Sequence, residues 1–191
     1  MKKYVMMIVS LLITGSLMVS GCGKNAEQNN SNGSGGNNSS HTATTGEMHH
    51  SDSGELPQGL MKKVDPTYPV GSQVIMNADH MTGMKGATAT IVGAYETTVY
   101  AVTYTPTTGG ELVKNHKWVI HEEVKEHSDE PYKVGVEVVL DADHMTGMKG
   151  ATATIDSAAQ TTVYMVDYTP TTGGDPVKNH KWVTEDELSA E

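Results

Sequence analysis

The chain has 191 residues, of which 13 are basic and 23 acidic, so its formal net charge is −10. All the basic residues are Lys, and this acidic balance excludes DNA or RNA as a natural partner, because phosphates are bound by dense positive charge and often by Arg. The single Cys excludes an intramolecular disulfide, a Cys-rich zinc site and a Cys redox pair. The notable residues are 12 Met and 9 His, whose side chains are soft and imidazole metal ligands.

Residues 1–21 are predicted to be a lipoprotein signal peptide. A basic start is followed by the apolar stretch Val5–Val19, which is too short for a comfortable membrane span. The stretch ends in Val19-Ser20-Gly21-Cys22, which resembles the lipobox of bacterial lipoproteins. We therefore expect acylation of Cys22 and a lipid anchor at the extracellular face of the cell membrane. The alternative is a plain signal peptide with a spare thiol.

Residues 22–54 are predicted to be a disordered tether, because Asn, Ser, Gly and Thr offer almost no apolar surface to bury. The tether contains Met48, His49 and His50, which form a candidate flexible copper-binding arm, since imidazole and thioether both ligate copper. The alternative is a polar tether that merely tolerates His.

The rest of the chain is an internal repeat. Tyr68–Glu122 aligns without a gap with Tyr132–Asp186, and 38 of 55 positions are identical. We expect residues 55–127 to form a first β-barrel repeat with its lead-in, and residues 128–191 to form a second.

Each repeat is predicted to be all-β. Short alternating or β-rich runs separated by Gly-containing turns are typical of strands, and in the first repeat these runs are Val70–Met76, Ala87–Val92, Val99–Tyr104 and Lys114–Ile120. Four or five short strands in each repeat resemble a small, partly open SH3-like barrel. The predicted architecture is therefore two tandem SH3-like barrels after a disordered tether.

Comparison of the two copies predicts which strand face is buried. Ala101 and Thr103 are replaced by Met165 and Asp167, whereas the alternate positions are unchanged. The unchanged face should therefore point inward, and its residues are Tyr100, Val102 and Tyr104 with their counterparts Tyr164, Val166 and Tyr168. Trp118 and Trp182 are also expected to be core residues.

One loop in each repeat carries the candidate metal ligands. The segment Asp79-His80-Met81-Thr82-Gly83-Met84 recurs as Asp143-His144-Met145-Thr146-Gly147-Met148, and the following strands add His116 and His180. His and Met together suit Cu(I), imidazoles also accept Cu(II), and zinc has little use for Met. We expect one site per repeat, with the tether cluster as a third and with Asp79 and Asp143 orienting the neighbouring His.

Structural roles compete with the metal hypothesis for each of these residues. Met81 or Met84 would then fill the end of the barrel core, His80 would hydrogen-bond the loop backbone, and His116 and His180 would shape an edge strand. Sequence alone does not decide whether ligands of the two repeats share one site.

Other functions are less well supported by the sequence. No nucleophile motif, phosphate loop or Cys-containing copper centre is present, so the chain is not predicted to be an enzyme. The competing hypothesis is a cell-surface interaction module that binds wall polymer or protein partners, with Tyr95, Tyr100 and Tyr104 lining its groove. A scaffold without a ligand is a third hypothesis.

The lipobox, the His-containing tether, Ser53-Gly54-Glu55-Leu56-Pro57 and the tandem Ala-Asp-His-Met-x-Gly-Met loops together resemble the YdhK family of bacterial lipoproteins. That family includes the CopL-type copper-binding lipoproteins. The resemblance implies extracellular copper binding that protects the cell from copper excess, alongside a copper exporter or another copper-handling protein. It does not by itself identify the ligands.

Overall fold

The computed structural model describes residues 53–191, and the expected all-β fold is confirmed there. These residues form eight strands, β1 Met61–Lys62, β2 Gln73–Met76, β3 Thr88–Tyr104, β4 Val113–Ile120, β5 Glu137–Val139, β6 Thr152–Tyr168, β7 Val177–Thr184 and β8 Leu188–Ala190. Two 3-10 turns, His121–Glu123 and Glu185–Glu187, follow β4 and β7. The predicted signal peptide, the anchor at Cys22 and the cluster of Met48, His49 and His50 lie outside the described residues.

The central strands are longer than the sequence suggested. Ala87–Val92 and Val99–Tyr104 were predicted as separate strands, but all of these residues except Ala87 belong to the continuous 17-residue strand β3, and β6 is its equivalent. The residues between the two runs include Gly93 but no Pro, Asn or Asp, so no turn is encoded there. Each long strand instead finds a continuous partner in the other.

The two repeats are related by an approximate two-fold axis. β3 and β6 pair antiparallel, with Ala89 opposite Tyr168 near one end and Thr97 opposite Thr161 in the middle. Thr161 is the counterpart of Thr97 in the other repeat, so exchanging the repeats maps the ladder onto itself. This is the geometry of an isologous interface, formed here within one chain.

The hydrophobic cores cross the repeat boundary. One core cluster joins residues of β2 and the start of β3 to residues of β6, β7 and β8, including Val74, Met76, Ile91, Tyr164, Val166 and Val183. A second joins the end of β3 and β4 to β5 and the start of β6, including Tyr100, Val102, Val119, Val138, Leu140 and Ile155. The boundary between residues 127 and 128 therefore separates repeats in the sequence, while each core contains half of each repeat.

Burial confirms the predicted inward face. Tyr100, Val102 and Tyr104 and their counterparts Tyr164, Val166 and Tyr168 are all buried. Ala101 and Met165, on the opposite face, are buried as well, and Met165 belongs to a third cluster with Trp182 near the two-fold axis. The long strands are thus covered on both faces in their central part.

Candidate metal site

The repeated loops are held by the opposite repeat. Gly83 has a φ of +84°, and its carbonyl oxygen accepts a hydrogen bond from the backbone N–H of Thr171 at 2.9 Å. A Cβ at Gly83 would lie 2.7 Å from the hydroxyl oxygen of Thr172 and 2.8 Å from the Cβ of Pro170. The loop therefore needs Gly both for its backbone conformation and for its close approach to the turn of the other repeat.

The second loop repeats this arrangement with the roles exchanged. Gly147 has a φ of +79°, and its carbonyl oxygen accepts a hydrogen bond from the backbone N–H of Thr107 at 2.8 Å. A Cβ there would lie 2.5 Å from the hydroxyl oxygen of Thr108. Both loops are therefore anchored across the repeat boundary.

The structure separates the methionines into two groups. Met84 and Met148 are fully buried, one in each of the two mixed cores, and they act there as core residues. Met81 is partly exposed at the edge of a core cluster, and the hydroxyl of Tyr168 donates to its sulfur at 3.9 Å. Met145 is also buried, at 7% exposure, but it lines the groove with Met81 and belongs to none of the three core clusters, so Met81 and Met145 are the thioethers retained in the candidate site.

Each loop histidine is paired with a carboxylate from the other repeat. The Nε2–H of His80 donates to Glu187 at 2.6 Å, and the indole N–H of Trp118 donates to the same carboxylate at 2.8 Å. Because a carboxylate only accepts hydrogen bonds, the proton of the neutral ring is at Nε2 and the lone pair is at Nδ1.

The second copy preserves this group. The Nε2–H of His144 donates to Glu123 at 2.7 Å, and the indole N–H of Trp182 donates to Glu123 at 3.0 Å. We define the two groups, His80 with Glu187 and Trp118, and His144 with Glu123 and Trp182, as the His–Glu–Trp triads. Their symmetry shows that this is a built feature of the repeat.

The free lone pairs of both triads are buried. The Nδ1 atoms of His80 and His144 are shielded from solvent and have no hydrogen-bond partner in the described structure. A buried polar atom without a partner costs free energy, and such atoms are rare in folded proteins. These nitrogens are suited to a ligand that accepts an electron pair, and a metal ion is one.

The carboxylate of Glu187 is strongly stabilised in its charged form. Burial alone would raise its pKa, but the hydrogen bond from His80 and the positive charge that this ring carries when it is protonated, with smaller contributions from Thr184 and Trp118, lower the pKa to about 2. A carboxylate that stays ionised keeps the imidazole oriented and raises its basicity as a ligand.

Candidate ligands of both repeats line one groove of about 700 Å³. It is bordered by both loops and by the histidines of β4 and β7, and its lining includes His80, Met81, His116, His144, Met145 and His180. The imidazole centroids of His116 and His144 are 6.2 Å apart. The sequence left open whether the two repeats share a site, and the structure brings their candidate ligands to a common groove.

Local backbone geometry directs the strand histidines. Asn115 and Asn179, which precede His116 and His180, both have a φ of +49°, a conformation that Asn tolerates better than most residues. The register of the β3–β4 pair shifts around His116, as does the β6–β7 pair around His180. Such irregularities change the direction of single side chains relative to a regular strand.

The segment before β1, residues 53–60, borders a second cavity. This cavity of about 360 Å³ is lined by that segment and by both repeats, and its lining includes Glu55, Glu123, His144 and Lys181. The ammonium of Lys181 donates to the backbone carbonyl of Glu55, and burial lowers the pKa of Lys181 against the opposing charges of Glu123 and Asp143.

Two functional candidates were missed by the sequence analysis. Asp79 and Asp143 were expected to orient the histidines, but Glu187 and Glu123 hold His80 and His144. A signal was available, because Glu123 and Glu187 are identical and immediately follow the end of the aligned repeats. The cross-repeat pairing could not be read from this identity alone.

The tyrosines suggested for an interaction groove do not form one. Tyr95, Tyr100 and Tyr104 are at most 4% exposed, so their rings belong to the core. These three side chains therefore offer no aromatic surface to a partner.

Two further observations concern the described residues 53–191. No group of three or more His, Cys, Asp or Glu side chains is arranged there to hold a metal, so a site in the groove must use thioethers or paired imidazoles. In that same part of the chain no helix has the length and apolar character to cross a membrane.

Comparison with known proteins identifies the family. The family model described as "Protein of unknown function (DUF1541)" matches residues 70–121 and 134–185. The chain is 56% identical over 188 residues to "Uncharacterized protein YdhK" of Bacillus subtilis (strain 168), covering 98% of this chain and 89% of that protein.

Solved structures agree with this match. A crystal structure of a DUF1541 family protein (ydhK) from B. subtilis is similar at 63% identity and a TM-score of 0.73, over 76% of this chain and 99% of that one. A solution NMR structure of the ydhK C-terminal domain from B. subtilis is similar at 67% identity and a TM-score of 0.62, over 64% of this chain and 93% of that one. The chain therefore belongs to the YdhK family, whose domain is DUF1541.

Proposed function

We propose that this protein is an extracellular, membrane-anchored copper-binding lipoprotein that sequesters copper and protects the cell against copper excess. The observation that carries the proposal is the shared groove, where two buried imidazole lone pairs, on His80 and His144, stand beside the thioethers of Met81 and Met145. The donor set is the basis for naming copper, because soft thioethers with imidazoles suit Cu(I) and offer little to zinc.

The proposed mechanism is buffering. A bound ion is withheld from the membrane and from importers, or is passed to a copper exporter or another copper-handling protein. The His–Glu–Trp triads support this role because they hold each imidazole in one tautomer before a metal arrives. Cu(I) is the favoured ion, and Cu(II) would bind through the imidazoles without the thioethers.

The lipid anchor proposed at Cys22 would keep the groove at the extracellular face of the membrane. Anchoring of this kind requires more than one acyl chain, as the resemblance to lipoproteins implies. No catalytic step and no nucleic-acid partner is part of the proposal.

A growth experiment tests this function. A bacterial strain that lacks the protein is complemented with the wild type, with Cys22→Ser, or with the pair His80→Ala and His144→Ala, and growth is measured against rising copper. We expect the wild type alone to restore full tolerance, while tolerance to zinc is the same in all strains. Full copper tolerance with the double His variant, at equal protein abundance, would refute the proposed function.

A further inference from the structure

We propose that the groove contains two metal sites and that each is assembled from both repeats. One site takes His80 and Met81 from the first loop and His180 from β7. The other takes His144 and Met145 from the second loop and His116 from β4. This inference rests on the proposed function but differs from the simpler expectation of one site built within each repeat.

At one end of the groove, a strand histidine of the first repeat lies close to a loop histidine of the second. The rings of His116 and His144 have centroids 6.2 Å apart and an interplanar angle of 38°. With metal–nitrogen bonds of about 2.0–2.1 Å, two imidazoles that share one ion have centroids at most about 6.5 Å apart. One ion can therefore bridge a histidine of the first repeat and a histidine of the second.

At the other end of the groove, one tyrosine contacts proposed ligands from both repeats. Tyr168 contacts two of the proposed ligands there, since its ring meets the ring of His180 edge-on at 5.8 Å and its hydroxyl donates to the sulfur of Met81. Tyr104 meets His116 in the same way at 6.0 Å. His180 of the second repeat and Met81 of the first thus flank a single tyrosine.

Each loop is also fixed by the opposite repeat. In the first loop, His80 is held by Glu187, Met81 by Tyr168 and the carbonyl of Gly83 by Thr171. All three partners belong to the second repeat. A site formed by the first loop is therefore positioned against the second repeat, whose β7 carries His180.

The test compares pairs of substitutions that remove equal numbers of imidazoles. The reference protein is the mature chain from residue 22 with Cys22→Ser, and Met48→Leu, His49→Ala and His50→Ala remove the tether cluster. Cu(I) is titrated anaerobically in competition with a chromophoric chelator, and folding of every variant is checked by circular dichroism.

The cross-repeat assignment predicts different results for two double variants. His80→Ala with His180→Ala damages one site and should retain one of the two equivalents bound by the reference. His80→Ala with His116→Ala damages both sites and should retain none. The reverse result would establish sites within each repeat, and loss of both equivalents in both variants would establish a single shared cluster, so either result overturns the inference.

A single substitution gives an independent readout. Ag(I), a redox-inert substitute for Cu(I), is added to His80→Ala and the histidine side-chain resonances are followed by NMR. The resonances of His116 and His144 should shift while that of His180 does not; a shift of His180 with no shift of His116 would overturn the pairing. If the reference protein binds no Cu(I) at all, the proposed function itself fails, which separates the two claims.

Discussion

Replacing Glu123 by Ala should be among the most destabilising single substitutions in the metal-free protein. Glu123 is only 6% exposed. Its carboxylate accepts hydrogen bonds from the indole N–H of Trp182 at 3.0 Å, from His144 at 2.7 Å and from the backbone N–H of Ile120 at 3.2 Å. Ala accepts none of them, so three donors at one buried position lose their partner.

The magnitude follows from these contacts. Each buried donor without a partner costs about 1–3 kcal/mol. Three such donors, counted near the lower end of that range, set the expected loss in the free energy of unfolding at about 3–5 kcal/mol. Glu123→Gln keeps one acceptor oxygen and should lose less.

Urea unfolding followed by tryptophan fluorescence, with a chelator present, measures this loss. The control is Glu96→Ala, which removes an exposed ion pair with Lys63 and should cost at most about 1 kcal/mol. If Glu123→Ala costs no more than the control, the triad does not stabilise the fold, and the reasoning from buried donors is wrong.

Three further predictions concern backbone conformation, pH and ligand identity. Gly83 and Gly86 both have positive φ, but only a Cβ at Gly83 would meet other atoms; Gly86→Ala should therefore cost about 1 kcal/mol and Gly83→Ala about 1–3 kcal/mol more in urea unfolding, and equal losses would contradict the contact. The pKa of Glu187 is lowered from 4.5 to about 2, so its stabilisation is complete above about pH 4.5 and is lost toward pH 2. Between pH 4.5 and pH 2, the difference in stability between the wild type and Glu187→Gln should shrink by up to about 3 kcal/mol. A difference that does not change with pH would contradict the lowered pKa of Glu187. Met81→Leu should weaken Cu(I) binding at least about tenfold, since a lost ligand costs more than about 1.4 kcal/mol, whereas Met84→Leu, in the core, should leave it unchanged in chelator competition; equal weakening would place Met84 among the ligands.

Local features of the fold were predictable because they depend on neighbouring residues. Alternation identified the buried face of Tyr100, Val102 and Tyr104, and the substitution of Thr103 by Asp167 in the second copy separated this face from the other. The Gly-containing loop also lies where its composition indicated. These signals are contained within a few residues of chain, and the repeat supplied a second observation of each.

The sequence did not predict that each hydrophobic core combines residues of both repeats, and the reason is physical. Ala89 faces Tyr168 in the structure, but an almost identical strand pairing within one repeat would bury the same kinds of side chain. Two copies with 38 of 55 identical positions offer nearly the same interactions in either arrangement. Chain connectivity and the continuous ladder between β3 and β6 select one of the two arrangements. The alternation of apolar and polar residues along a strand gives no information on either.

The candidate site was predictable in composition but not in arrangement. His80 and Met81 were identified by residue type, whereas the core position of Met84 was one of two alternatives that spacing could not separate. Glu187 lies more than 100 residues from His80, so no local pattern connects them. Long-range contacts of this kind depend on the whole topology.

The central claim is that imidazoles and thioethers of the groove bind copper. The most direct test is an anaerobic titration of residues 22–191, carrying Cys22→Ser, with Cu(I) in competition with a chromophoric chelator, beside a variant that also carries His80→Ala and His144→Ala. The account predicts that the wild type withdraws two equivalents from the chelator beyond any bound by the tether, and that the variant does not. A wild type that withdraws no more copper than the variant would contradict the account.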